Sequence, residues 1–183
     1  MVDKIANELL QMILEPLLHV PDEIFCSCSK TAFGCNVKFP TSSLLLVCKK
    51  WLKVATPLLY KVVVLRSTAQ AQALAEVFSQ YPVLPLYVRK IRLEGAYSCL
   101  WDVIRPCSNL HTICFTLDIY AVTLVTGLCR SLNSINPTRV ILLDRCDTKN
   151  VKIEQVFCKL IDCIPRWTNL VGSLSCCTVF LFR

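Results

Sequence analysis

The stretch Ser42–Leu65, "SSLLLVCKKWLKVATPLLYKVVVL", decides how the rest of the chain is read. Two periods meet in it. Leu44, Val47, Cys48, Trp51 and Ala55 recur at the spacing of one helix face, and Lys49, Lys50 and Lys53 fall on the opposite face. Thr41 or Ser42 is placed to cap such a helix, and Pro57 to stop or turn it. Immediately afterwards "YKVVVL" has the β-branched content of a short strand. An apolar helix with a lysine-rich outer side, feeding a strand, suggests half of a docking surface joined to a larger body.

Toward the N-terminus, Ile5–Leu18 reads as a second helix. Ile5, Leu9, Ile13 and Leu17 stand at i, i+4 spacing, and Leu10 and Leu14 widen the stripe. Asp3 is a candidate N-cap, and Pro16 is expected to kink or divide the helix near its end. Between the two helices, "PDEIFCSCSKTAFGCNVKFPT" (residues 21–41) has Pro, Gly, Ser and Asn without a period and reads as a loop or insertion.

Toward the C-terminus the helix-then-strand pattern repeats. A helix with Ala71, Leu74, Phe78 and Tyr81 on one face precedes "VRKIRL", and the short apolar "CLWDVI" precedes "SNLHTICFTLD". A helix around Leu124, Leu128 and Leu132 precedes "TRVILLD". Another, with Ile153, Val156, Phe157, Leu160, Ile161 and Ile164, precedes "TNLVGSL". Strand centres near Ile91, Ile113 and Ile141 lie about 22 to 28 residues apart, a repeat-protein period. Ser108-Asn109-Leu110 returns as Thr168-Asn169-Leu170. Stacked units of this kind build a curved parallel sheet covered by helices. The tail "SLSCCTVFLFR" does not read as another unit, so the array is expected to stop after one more strand.

The composition agrees with a packed fold. Of 183 residues, 54% are apolar and 18% charged, which excludes a disordered chain. A net charge of +7 is spread thinly and does not indicate nucleic acid. The thirteen cysteines are odd in number and no apolar signal segment precedes them, so they read as reduced, mostly buried thiols of a cytoplasmic or nuclear protein. No uncharged apolar run reaches the roughly 18–20 residues of a membrane span.

With these segments in view, "NELLQMIL" followed by "LLLVCKKWLKVATPLLYKVVVL" resembles an F-box. Glu8, Leu9, Leu10, Ile13 and Leu14 match its first half, and Leu44, Val47, Cys48, Lys49, Trp51, Leu58, Leu59 and Tyr60 its second. "LRSTAQAQALAEVFSQYPVLPLYVRKIRLEG" is similar to fungal, mushroom-type F-box proteins with a degenerate leucine-rich-repeat-like C-terminal region. The resemblance departs from the family pattern at the first helix, where Ile5-Ala6 stands in place of Leu-Pro. It implies an α plus α/β chain: an F-box-like helical domain over residues 1–65 with its insert at 21–41, then a truncated leucine-rich-repeat-like solenoid over residues 66–183. It further implies a non-catalytic substrate-recognition subunit of an SCF-type cullin–RING ubiquitin ligase. Its partners would be a Skp-type adaptor, through it a cullin, and a protein target, with no cofactor, nucleic acid or membrane.

On this reading Leu9, Leu10, Ile13, Leu14, Leu44, Leu45, Val47, Cys48, Trp51, Leu58 and Leu59 form a combined core and adaptor surface, and periodicity alone does not divide the two uses. Arg89, Lys90 and Arg92 on "VRKIRL" are the candidates for target contact, against the plainer reading of a solvated strand. The alternatives are an interaction scaffold with a degenerate F-box, or a fragment of a longer receptor.

Catalytic and metal chemistry find little support. Cys26, Cys28 and Cys35 lack the paired spacing and fourth ligand of a zinc site. Cys176-Cys177 has no basic or amphipathic flank of the kind that accompanies lipidation. His19 and His111 are the only imidazoles, and His111 and Cys114 are expected on opposite faces of one strand. With four glycines and no phosphate-loop or hydrolase motif, no catalytic residue is expected.

Overall fold

A computed structural model describes residues 5–27, 41–117, 119, 123–143, 151–171 and 175–176. Its centre is a parallel sheet of strands β1 (Val62–Leu65), β2 (Lys90–Leu93), β3 (Thr112–Thr116), β4 (Arg139–Leu143) and β5 (Ser175–Cys176), paired in sequence order. Parallel neighbours need a crossover, and helices supply it: α4 (Thr68–Gln80), α5 (Leu100–Ile104), α6 (Thr126–Leu132) and α7 (Val151–Cys163). Ahead of the sheet come α1 (Asn7–Leu18), α2 (Asp22–Phe25) and α3 (Lys49–Tyr60). The chain is thus of mixed α/β class, with a helix pair leading into a parallel sheet. The sheet opens with β1, on the N-terminal side of the boundary expected at residue 65.

Register explains the core. Val63, Ile91, Ile113 and Val140 stand side by side across the strands, as do Leu65, Leu93, Phe115 and Leu142. Both rows are buried and point to the side that α4–α7 cover with Ala71, Phe78, Leu100, Leu128, Val156 and Leu160. The neighbouring rows, Val62-Lys90-Thr112-Arg139 and Val64-Arg92-Cys114-Ile141, point to the other side. A third row there holds Thr116 and Leu143.

Local chemistry punctuates these elements. Ser67 Oγ accepts from the Gln70 backbone N–H at 3.2 Å, and Gln70 Oε1 accepts from Arg66 N–H at 2.8 Å, so α4 starts with a side-chain cap. The recurrent Ser/Thr-Asn-Leu phrase marks one turn used twice. Leu110 N–H donates to Cys107 O at 3.1 Å and Leu170 N–H to Trp167 O at 3.3 Å. Asparagines then link neighbouring units: Asn109 Nδ2 donates to Leu86 O at 2.8 Å and Asn136 Nδ2 to Thr168 Oγ1 at 2.9 Å.

Several expectations are corrected. The helix expected to run from Ser42 is two elements: a 3-10 turn at Thr41–Leu46, an extended Cys48 (φ −164°), and then α3. Neither proline ends its helix. α1 runs through Pro16 and α3 through Pro57, because the carbonyls each proline leaves without a donor, on Met12 and Lys53, belong to exposed residues that water can reach. Tyr81 and Leu124 lie outside the helices they were expected to face from, and both are exposed, as is Ile161 on α7. Of "TNLVGSL", expected as a strand, residues 168–171 are turn and coil, residues 172–174 lie outside the described residues, and β5 comes at Ser175–Cys176. The expected N-cap Asp3 lies outside the described residues. Ala6 occupies the cap position of α1 and makes no side-chain hydrogen bond.

The largest correction concerns residues 21–27, expected as loop. They contain α2, which lies on the sheet face opposite α4–α7 and buries Phe25 against Cys114, Ile141 and Leu143. Among the described residues no helix is long and apolar enough to cross a membrane.

Candidate functional site

Two surfaces stand out, and each includes residues singled out in the sequence. The first is the helix pair. α1 carries two apolar stripes at i, i+4 spacing. Leu10, Leu14 and Leu18 point into a small core with Ala55 of α3, joined by Trp51, Val54, Leu58 and Leu59. Leu9, Ile13 and Leu17 point outward, 56%, 53% and 57% exposed, with Met12 beside them. A soluble helix normally shows one such stripe, so the second is surface left over after the helix has packed. Leu46, Val47 and Leu52 add exposed apolar surface at the start of α3 and just before it.

The combined core and adaptor set therefore divides. Leu10 and Leu14 are core and offer nothing to a partner. Leu44, Leu45, Cys48, Leu58 and Leu59 are half-buried, and Trp51 packs into the helix-pair core. The Trp51 indole N–H is buried without an acceptor among the described residues. Val47, expected on the packed face with Trp51, is exposed because the chain breaks at Cys48 and α3 begins in a new phase. Met12, Leu17, Leu46 and Leu52 were not among the expected site residues. The signal for Leu17 was present in the Leu9-Ile13-Leu17 series.

Charges frame this surface. Lys49 and Lys53 are exposed as expected, whereas Lys50 donates through Nζ to Ile5 O and ties the start of α1 to α3. Lys61 Nζ lies 2.8 Å from Glu15 Oε1 and holds the opposite end. The hydrogen bond and charge of Lys61 hold the Glu15 carboxyl below its usual range.

The second surface is the sheet face opposite α4–α7. Arg92, 1% exposed, donates from Nη1 to Phe25 O at 2.8 Å and to Ile24 O at 3.3 Å. Its Nη2 lies 2.9 Å from Glu94 Oε1, which Arg66 approaches at 3.7 Å. Lys90 pairs with Asp22 Oδ1, and Arg139 Nη1 lies 3.0 Å from Asp22 Oδ2. The Lys90 hydrogen bond is the main cause of a depressed Asp22 carboxyl, with Arg139 adding to it. Lys90 also stands 5.8 Å over the Phe25 ring.

Of the candidates for target contact, Lys90 and Arg92 are thus engaged by the chain's own α2 rather than presented to solvent. Arg89 sits before the strand, its guanidinium 3.3 Å from His111 Nε2. His111, expected on one strand with Cys114, instead precedes β3, and Cys114 is buried under Phe25.

Burial pushes the thiols of Cys26, Cys99 and Cys129 up, and that of Cys107 up to about 12, so these four stay protonated and poorly nucleophilic at neutral pH. No group of three or more metal-ligating side chains occurs among the described residues, and Cys28, Cys35 and Cys177 lie outside them. A cavity of about 70 Å³ between α1 and the sheet, lined by His19, contains no thiol or hydroxyl to pair with that imidazole. Compared with family models, with curated proteins and with solved structures, the chain matches none.

Proposed function

We propose that the chain is a non-catalytic substrate-recognition subunit of an SCF-type cullin–RING ubiquitin ligase, acting in the cytoplasm or nucleus. On this reading the helix pair is an F-box that docks a Skp-type adaptor, and through it a cullin. The strand–helix units are degenerate leucine-rich repeats that hold a protein target. The observation that carries the reading is the second apolar stripe of α1. Leu9, Ile13 and Leu17 stand exposed on a helix whose other stripe already fills the core. Large aliphatic anchors on a rigid helix, with Lys49 and Lys53 nearby as a charged rim, suit a stable interface. The sequential parallel order of β1–β5 suits the repeat reading.

The test is binding of the purified chain to a purified Skp-type adaptor, with a Leu9→Ser/Ile13→Ser/Leu17→Ser variant alongside. Micromolar or tighter binding by the wild type, lost in a variant that melts like it, supports the reading. A folded wild type that binds no adaptor sinks it. The second reading is a scaffold whose F-box no longer docks. It is favoured by the start of α1, where Ala6 stands in place of the family's proline.

A further inference from the structure

The sheet face opposite α4–α7 is already occupied, and the manner of its occupation reads as recognition. We infer that this face is a peptide-binding site, that the chain's own Asp22–Phe25 segment fills it in cis, and that a partner carrying an acidic residue three positions before an aromatic one competes for the same place.

Three features specify such a ligand. Lys90 and Arg139, from different strands, grip one carboxylate on Asp22. Phe25 enters an apolar seat floored by Ile141, with its ring fully buried. Between them Arg92 donates to two main-chain carbonyls, Ile24 O and Phe25 O, a contact that any side-chain sequence satisfies. Charge at the first position, an aromatic at the fourth and main-chain capture between them is a short-motif code.

The occupant is also weakly built. α2 has four residues and no side-chain cap. Asp22, Glu23 and Ile24 are exposed, so Phe25 is its one fully buried side chain. The α4–α7 side of the same sheet is instead closed by four helices that bury several side chains each, the outer two, α4 and α7, having 13 residues. Attachment in cis gives the segment a high effective concentration, which keeps weaker free peptides out. The inference goes beyond adaptor docking and needs none: it concerns the sheet alone.

The experiment uses the full chain without adaptor. A fluorescein-labelled peptide, Val-Pro-Asp-Glu-Ile-Phe-Ser-Ser, is titrated by anisotropy against the wild type and an Asp22→Ala/Phe25→Ala chain. The opened chain is expected to bind roughly tenfold or more tightly than the wild type. A peptide with alanine in place of its phenylalanine should lose that binding, and Lys90→Glu in the opened chain should weaken it by a similar factor. An opened chain that folds, by circular dichroism, and binds no better than the wild type overturns the inference. So does an opened chain that no longer melts cooperatively, because the segment is then permanent core and not a displaceable occupant.

Discussion

Gly127 shows how one residue sets the distance between two elements. A Cβ at this position would stand 2.5 Å from Ser98 O and 2.6 Å from Tyr97 O, both backbone atoms that cannot turn aside. The turn they belong to is itself anchored, since the Tyr97 hydroxyl donates to Leu65 O at 3.3 Å. Burial pushes that phenol up to about 12, so the hydroxyl stays a donor at any physiological pH. Gly127→Ala must therefore move α6 outward, and overpacking of this kind costs about 1–3 kcal/mol. In a chain of this size each kcal/mol lowers the melting temperature by about 2–4 °C. A thermal melt checks it, and a variant melting with the wild type would mean that α6 shifts freely. Nothing in the sequence distinguishes Gly127 from a helix-weakening glycine, because its neighbours in space come from the preceding unit.

Among the elements, α1 carries the sharpest test. Its two leucine-rich stripes are alike in composition and period, yet one is core and one is surface. Leu10→Ala and Leu14→Ala are each expected to cost about 2–5 kcal/mol, as buried truncations do. Leu9→Ala and Ile13→Ala should stay within about 0.5 kcal/mol of the wild type, as surface changes do. Urea unfolding of the four single variants measures this. Equal losses on both stripes would mean that the outer one is covered in the free protein. Periodicity is enough to locate α1, α4, β2, β3, β4 and α7. The 3-10 turn at Thr41–Leu46 was not legible, since Leu44 and Val47 continue the α-helical period of Trp51 and the extended Cys48 breaks it.

At the scale of the whole molecule, Asp22 is the strap between the N-terminal region and the sheet. Lys90 and Arg139 face it, and both favour the ionised carboxylate. A carboxyl whose folded pKa is depressed contributes stability that is present above the unfolded pKa, near 4, and is lost as pH falls through the folded pKa. The pair is half-exposed, so its worth is no more than about 1 kcal/mol. The stability difference between wild type and Asp22→Asn should be greatest at neutral pH and shrink to nothing in acid, which denaturant midpoints across pH 2 to 7 would reveal. A difference that persists in acid would assign the effect to packing and not to charge.

The sequence by itself determined where most helices and strands lie, that the sheet is parallel, and that two apolar helices precede it. The elements follow from periods of 3.6 and 2, which are properties of neighbouring residues, and the parallel sheet from the alternation of helix and strand along the chain. Only the tertiary structure decided which stripe of α1 faces inward, because both are apolar and the choice belongs to α3. It alone decided that Asp22–Phe25 is an element. Four residues cannot hold a helix by local bonds, and the groups that stabilise this one, Lys90 and Arg139, lie 68 and 117 residues further along the chain.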